Sequence, residues 1–199
     1  MTTSRLDIPL FPLNTVLFPG GLLPLRIFEQ RYMEMAKACL RDGTPFGVCL
    51  IREGREVGEP AEPESIGCLA GIVEWDMQQL GLLLVTAKGG PRFRILERRV
   101  IPGGLGRASV EMLPEDADAG LPEEYAACAT LLRRVVEEHG AALFAAPHRF
   151  DSASWVGSRL AEILPVPLPA KQKLMELGDA MQRIEILHKF LSQHRLAGD

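Results

Sequence analysis

The chain has 199 residues, of which 47% are hydrophobic, and it carries a formal net charge of −4. This length fits one ordinary domain or two small ones, and the apolar content excludes a disordered chain. The acidic balance argues against a nucleic-acid or anionic-membrane surface as the main function, because both ligands favour a basic face. No run of about 18 apolar residues occurs, so we expect no transmembrane helix.

The N-terminal segment is apolar but rich in residues that prevent a helix. Residues 8–24 contain four prolines and two glycines. Proline fixes φ and removes a backbone donor, so this segment is predicted to form extended pieces joined by a turn at residues 18–21. The prolines also exclude the apolar core of a signal peptide, and we expect a cytoplasmic protein. Helical spacing then begins at Phe28 and continues through Tyr32 to Cys39, with Gly43 as the stop.

Five apolar segments in the middle of the chain are typical of β-strands. The predicted strands are residues 45–52, 66–74, 80–87, 92–101 and 105–113. The predicted turns between them include residues 75–79 and 89–91, and a brief further strand is predicted at residues 55–57. Several short strands separated by turns indicate a small barrel or sandwich rather than a parallel α/β sheet.

The composition changes at residues 114–120, which are acidic and poor in large apolar side chains. We therefore predict two domains, residues 1–116 and residues 117–199. Helical periodicity dominates the second domain. The predicted helices are residues 122–139, a helix capped by Asp151 or Ser152 that runs to about residue 164, and residues 170–194.

Catalytic and metal-binding signatures are missing from the sequence. It contains no P-loop, no Gly-x-Ser-x-Gly elbow and no His-Glu-x-x-His pair. The four cysteines are dispersed without zinc spacing, so we expect buried thiols in a reducing compartment, with a disulfide or metal role as the alternative. The segment from Gly104 to Gly106 lies where one predicted strand gives way to the next, which favours a turn over a dinucleotide loop. We expect no catalytic residue, no metal and no cofactor, and hence no enzyme.

Several motifs carry a resemblance to a known family. Residues 8–13 (IPLFPL), 16–20 (VLFPG) and 23–32 (LPLRIFEQRY) resemble the opening of the Lon protease N-terminal, substrate-binding domain. The resemblance continues through residues 46–51, 56–58, 66–67 and 90–96, and it resumes at residues 155–156, 160–165 and 171–174. It implies an α+β fold, in which a PUA-like β pseudo-barrel with one inserted helix precedes a C-terminal helical bundle of about three helices.

The same resemblance implies a function. Full-length Lon proteases also carry an ATPase module and a protease domain with a catalytic Ser-Lys pair, and no segment here matches either. The resemblance therefore implies a stand-alone, non-catalytic module that binds unfolded or exposed polypeptide segments, with an adaptor role in protein quality control. A separate ATPase or protease is the implied partner. Because Lon proteases assemble largely through the parts that have no match, we expect a monomer or weak dimer.

Five residues are the candidates for polypeptide binding. Phe28, Tyr32 and Trp155 are the apolar anchors, since an exposed apolar patch is the natural contact for exposed polypeptide. Arg26 and Glu29 stand beside two of them and are expected to orient a bound backbone. The structural alternative is that the aromatic rings belong to the core and that the charged groups form ion pairs where strand becomes helix.

Three arginines support an alternative function. Arg92, Arg94 and Arg98 are predicted to share one face of a strand, opposite Phe93 and Ile95. Barrels related to the PUA-like fold include RNA binders, so an RNA-binding module is the second hypothesis, and a solvated outer face is its structural alternative. An enzyme without a recognisable signature is the third hypothesis, which predicts a deep pocket with a perturbed acid or base.

Overall fold

A computed structural model describes residues 5–117 and 119–194 of the chain. Contacts group the chain into two compact units, which divide between Pro114 and Glu115. The prediction of two domains divided after residue 116 implies that each part folds on its own, and this stays a prediction. No helix within the described ranges combines the length and the hydropathy that a membrane crossing requires.

The first unit, within residues 5–114, combines β-strands with one α-helix. Its elements are β1 (Arg5–Leu13), β2 (Leu22–Ile27), α1 (Gln30–Asp42), β3 (Phe46–Glu53), β4 (Glu62–Pro63), β5 (Ile66–Gln79), β6 (Leu82–Val100) and β7 (Gly106–Met112). Gly43 follows α1 in the left-handed conformation, with φ 63°, and its N–H bonds to the Cys39 carbonyl oxygen. The predicted helix and its glycine stop are therefore confirmed.

Strand β1 closes the sheet because it has a partner on each side. It pairs antiparallel with β7, where Ile8 lies opposite Ala108, and parallel with β3, where Leu10 lies opposite Gly47. The order β1–β7–β6–β5–β3 thereby returns to β1 as a ring, with β2 added to β6 and β4 added to β3. This arrangement is the predicted β pseudo-barrel with one inserted helix.

Strand β6 runs unbroken where two strands and a turn at residues 89–91 were predicted, so that prediction is wrong. The glycines there serve a close approach of two backbone segments. A Cβ on Gly89 would lie 2.2 Å from the Phe18 carbonyl oxygen. Gly20 N–H donates to Gly89 O, and Gly89 N–H donates to Gly21 O, each at 2.8 Å. These contacts hold the first turn against β6 at the place where β6 changes its partner from β2 to β7.

The predicted turn at residues 75–79 is also wrong, because β5 continues to Gln79. Trp75 lies opposite Val85 in the β5–β6 ladder and is therefore part of the strand. The turn follows Gln79, where Gly81 has φ 84°. No strand forms at residues 55–57 within the described chain; the short β4 forms instead a few residues later. In both places the register of strand pairing determines the boundary.

The core of the first unit consists of two apolar clusters. One contains α1 residues such as Tyr32 together with Val85 of β6. The other is drawn from the five strands of the ring and contains Phe93, which is fully buried. A Cβ at Gly47 or at Gly67 would lie 2.7 Å from Phe93 Cζ. The two glycines therefore leave the space that the phenyl ring of Phe93 occupies.

The second unit, within the described residues from 115 onward, is helical. Its α-helices are α2 (Ala126–His139), α3 (Ala153–Ile163), α4 (Leu168–Glu176) and α5 (Ala180–Gln193). The single helix predicted at residues 170–194 is wrong, because Asp179 caps a new helix. Its Oδ1 accepts from the backbone N–H groups of Met181 and Gln182, at 2.9 and 3.1 Å. The described residues of the bundle thus form four α-helices, where about three were predicted.

Helix α3 is the central helix, and it contacts α2, α4 and α5. Ser152 caps it by accepting from the Trp155 N–H at 3.3 Å, as predicted. A buried ion pair fixes the start of the unit to α5: Arg183, only 2% exposed, donates to Asp116 Oδ2 at 2.6 Å. Arg183 also donates to the carbonyl oxygens of Leu174 and Leu177, at 2.9 and 2.6 Å.

Candidate functional site

Four of the five predicted polypeptide-binding residues surround one small pocket of the first unit. Arg26, Phe28, Glu29 and Tyr32 all line it, because β2 ends and α1 begins within this short segment. The pocket holds about 60 Å³, roughly the liquid volume of two water molecules. It therefore has room for a small aliphatic group.

The floor of the pocket is apolar and rigid. Tyr32, 5% exposed, stacks on Phe11 with ring centroids 4.1 Å apart and planes inclined by 22°. Leu13 and Ile27 complete the apolar lining. Burial raises the pKa of the Tyr32 phenol above its usual value, which keeps the group neutral. Tyr32 is thus a packed part of the floor rather than a protruding anchor.

Two exposed apolar side chains form the rim. Phe28 is 57% exposed and Val57 is 54% exposed. Phe28 lies immediately before Glu29, the N-cap residue of α1, so its ring does not continue the buried stripe of the helix. Apolar side chains that stay exposed beside a pocket are typical of binding surfaces. Val57 was not among the binding residues predicted from the sequence, because it lies in a polar loop. No local pattern indicates that this loop reaches the start of α1.

Hydrogen bonds hold that loop beside the pocket. Glu29 Oε2 accepts from Arg31 Nη2 at 3.0 Å and from the Gly58 N–H at 3.4 Å. Glu56 Oε1 accepts from the Asn14 N–H at 2.5 Å. The loop is therefore fixed both to the start of α1 and to the end of β1, and Val57 faces the pocket from a defined position.

Arg26 supplies a polar group that the fold does not use. Its side chain is exposed, and it makes no hydrogen bond or ion pair with any residue of 5–117 and 119–194. A guanidinium carries five N–H donors in a fixed planar arrangement. Beside Phe28 it can donate to the carbonyl groups of a chain bound over the pocket.

Trp155 belongs to the second unit, where its ring packs among other aromatic rings. The centroids of Phe144, His148 and Phe150 lie 5.8, 5.7 and 5.0 Å from that of Trp155. The edge-on arrangement with Phe144 and Phe150 is typical of aromatic packing. Its geometry is that of a local aromatic core, and a binding role for Trp155 stays a prediction.

The three arginines of the RNA hypothesis have different environments. Arg92 is 4% exposed, and its Nη2 donates to the Pro114 carbonyl oxygen at 2.9 Å. Arg98 donates to the Ala61 carbonyl oxygen at 3.1 Å and to the Glu62 carboxylate. The Arg94 side chain is 51% exposed, so it is the most accessible of the three to a ligand from solvent.

The expectation that these arginines share one face is wrong for Arg98. A register shift between Ile95 and Glu97 absorbs one residue of β6. Ile95 lies opposite Val110, and Arg98 lies opposite Ala108, two residues earlier in β7. Directly opposed residues share a face of the sheet, so Arg98 lies on the Ile95 side rather than opposite it.

Comparison with known families identifies one match along almost the whole chain. The model of the ATP-dependent protease La (LON) substrate-binding domain matches residues 7–193. The Lon protease of Anaeromyxobacter dehalogenans (strain 2CP-C) is 28% identical over 198 residues, which cover 94% of this chain and 23% of the relative. Lon protease 2 of Myxococcus xanthus is also 28% identical, with 94% and 24% covered. The chain thus spans about a quarter of the length of these relatives.

Two solved structures resemble the fold. The crystal structure of a Lon N-terminal domain protein from Xanthomonas campestris has a TM-score of 0.77 and 35% sequence identity, covering 92% of this chain and 98% of that chain. The N-terminal domain of Mycobacterium avium complex Lon protease has a TM-score of 0.61 at 19% identity, covering 94% and 99%. The predicted PUA-like α+β fold is therefore confirmed.

Proposed function

The chain belongs to the family of ATP-dependent protease La (LON) substrate-binding domains, and we propose from that premise that it recognises exposed polypeptide segments at the Phe28–Val57 rim. The observation that carries the proposal is the pair of exposed apolar side chains on either side of a small pocket with a buried aromatic floor. Such a surface needs no bond chemistry, and recognition without catalysis is the proposed activity.

The size of the pocket defines the kind of contact. A volume of about 60 Å³ admits one small aliphatic side chain, while Phe28 and Val57 cover its flanks. Burial of apolar surface contributes roughly 25 cal/mol per Å², so a single inserted side chain gives only weak binding. The module therefore selects segments by local apolar character rather than by a long sequence, which suits the recognition of unfolded chains.

Polar contacts at the rim orient the bound segment. Arg26 is open to donate to main-chain carbonyl groups, whereas Glu29 and Glu56 are engaged in holding the loop. Main-chain contacts of this kind depend little on sequence. We propose that Phe28 and Val57 supply affinity and that Arg26 supplies orientation.

The wider role extends the same proposal. We propose an adaptor in protein quality control that presents bound chains to a separate ATPase or protease, in the cytoplasm, as a monomer or weak dimer. The RNA alternative has less support, because Arg92 is buried and Arg98 is engaged by an acidic neighbour.

Fluorescence anisotropy with a labelled, permanently unfolded polypeptide tests the proposal. We expect saturable binding that persists when salt is raised, since apolar contacts are not screened. The Phe28→Ala and Val57→Ala variants should each bind about tenfold more weakly, the effect of removing a contact worth about 1.4 kcal/mol.

Matched controls come from exposed apolar residues elsewhere in the first unit. Trp75, 60% exposed, and Val100, 47% exposed, do not line the pocket, and their alanine variants should bind as wild type does. Equal losses in all four variants would indicate non-specific adhesion. Binding only to a structured RNA, with steep salt dependence, would instead indicate an RNA-binding function that involves Arg94.

A further inference from the structure

A second and larger pocket of the first unit lies beside α1 and plays no part in the proposed polypeptide site. It holds about 560 Å³, within the range of roughly 300–1,000 Å³ that small-molecule sites occupy. Ala38 and Glu34 of α1 line it together with Ile8 of β1, and the β6–β7 turn contributes Ile101 and Leu105. It is thus enclosed by three separate elements.

The walls of this pocket are mainly apolar. Ile8 is 2% exposed and Met35 is 3% exposed, so both present a fixed surface to the pocket. Leu105 packs against the core cluster that contains α1. Ala38 has the smallest side chain on the helical wall, and its size leaves space beside the helix. An aliphatic or aromatic group of a ligand would therefore be buried here.

Each charged group that lines the pocket, except one, has a partner of opposite charge. The paired groups are Asp7 with Arg99 and Arg107, Asp42 with Arg41, and Arg31 with Glu29. The exception is Glu34, whose carboxylate accepts from the neutral Gln30 amide at 2.8 Å. Glu34 has no cationic partner among residues 5–117 and 119–194. Because Asp7 faces two arginines, the charges around the pocket sum to zero, but the Glu34 carboxylate at its edge lacks a cation of its own.

We propose that this pocket binds a cationic nitrogen carried on an apolar body. An ammonium or guanidinium group would pair with the Glu34 carboxylate, and the attached aliphatic or aromatic group would lie over Ala38 and Leu105. An anionic group placed beside Glu34 would be repelled by that carboxylate. The same chemistry is offered by a free amine and by a lysine or arginine side chain next to apolar residues in a polypeptide.

Amide chemical-shift mapping with phenethylamine, and with phenethyl alcohol as its uncharged counterpart, tests this site. We expect saturable shifts at Ala38 and Leu105 with both probes. The amine should bind about threefold more tightly, the effect of one exposed charge pair. Glu34→Gln should abolish this difference, while Glu74→Gln, an exposed carboxylate that does not line the pocket, should keep it.

A capped peptide that contains one lysine between leucines distinguishes the two sources of the ligand. Competition between this peptide and phenethylamine at the same amides would support a polypeptide source, and binding of the amine alone would support a free small molecule. Ala38→Trp should fill the pocket and prevent both, while anisotropy at the Phe28–Val57 rim stays unchanged. Absence of saturable shifts at millimolar probe, shifts confined to the Phe28 pocket, or equal affinity of amine and alcohol would overturn the proposal.

Discussion

Replacement of Arg183 by methionine should destabilise the helical unit more than any exposed charge change. The Arg183 and Asp116 side chains are 2% and 10% exposed, and Nη1 and Oδ2 are 2.6 Å apart. Methionine keeps an unbranched apolar stem but removes the guanidinium that pairs with the largely buried Asp116 carboxylate. Breaking a buried ion pair from one side costs about 3–5 kcal/mol. That loss is a large share of a domain stability of about 5–15 kcal/mol.

Urea unfolding followed by tryptophan fluorescence measures this loss in the correct unit. The chain has two tryptophans, Trp75 in the first unit and Trp155 in the second, so a Trp75→Phe background reports the helices alone. Lys189→Met is the matched control on the same helix, because Lys189 and Glu185 form an exposed pair at 2.6 Å. We expect the control to cost less than about 0.5 kcal/mol.

If both methionine variants lowered the unfolding free energy equally, by under about 1 kcal/mol, the Arg183–Asp116 pair would not be a main source of stability in the helical unit. If Arg183→Met does not fold, Asp116→Asn gives a milder test. It keeps the shape of the side chain and weakens a charge-assisted hydrogen bond, which is worth about 1.5–3 kcal/mol. A neutral result for Asp116→Asn would contradict the assigned importance of the pair.

Three further predictions concern packing, pH and domain structure. Gly67→Ala should cost about 1–3 kcal/mol in urea unfolding, because its Cβ would lie 2.7 Å from Phe93 Cζ, whereas Gly71→Ala in the same strand meets no atom within 4 Å and should be neutral. Burial raises the pKa of Glu162 from 4.5 to about 7, so the folded state binds the proton more tightly than the unfolded state does. The free energy of unfolding should therefore fall by about 3 kcal/mol when the pH is raised from 4.5 to 7.5. Glu162→Gln should remove this pH dependence of the unfolding free energy. An unchanged pH dependence would contradict its assignment to Glu162. Residues 117–199 produced alone should unfold cooperatively by circular dichroism, and a non-cooperative melt would contradict the predicted boundary.

Local rules explain why some elements could be predicted. The extended N-terminal arm follows from its prolines, and α1 follows from helical spacing with a glycine stop at Gly43. Phe28 and Tyr32 fall at one site because they flank the same strand-to-helix junction. These features depend on residues that are close in sequence, and the sequence alone determines them.

Long-range contacts explain the failures. The glycines at residues 89–90 are typical of a turn, yet Gly89 accommodates the backbone of Phe18 within a continuous strand. A single bulge near Ile95 moves Arg98 to the other face, so alternation misplaced it. Val57 reaches the pocket only because Glu29 and Glu56 fix its loop. Pairing partners, bulges and loop anchors of this kind are not encoded by local patterns.

Hydrogen exchange of the whole chain, with and without a saturating unfolded polypeptide, is the direct test of polypeptide binding at the Phe28–Val57 rim. We expect slower exchange at residues 26–32 and 54–61, with no change at the aromatic cluster around Trp155. The same protection pattern should disappear in Phe28→Ala. Protection confined to the Trp155 cluster, or unchanged exchange at the Phe28–Val57 rim despite saturable binding, would contradict binding at that rim.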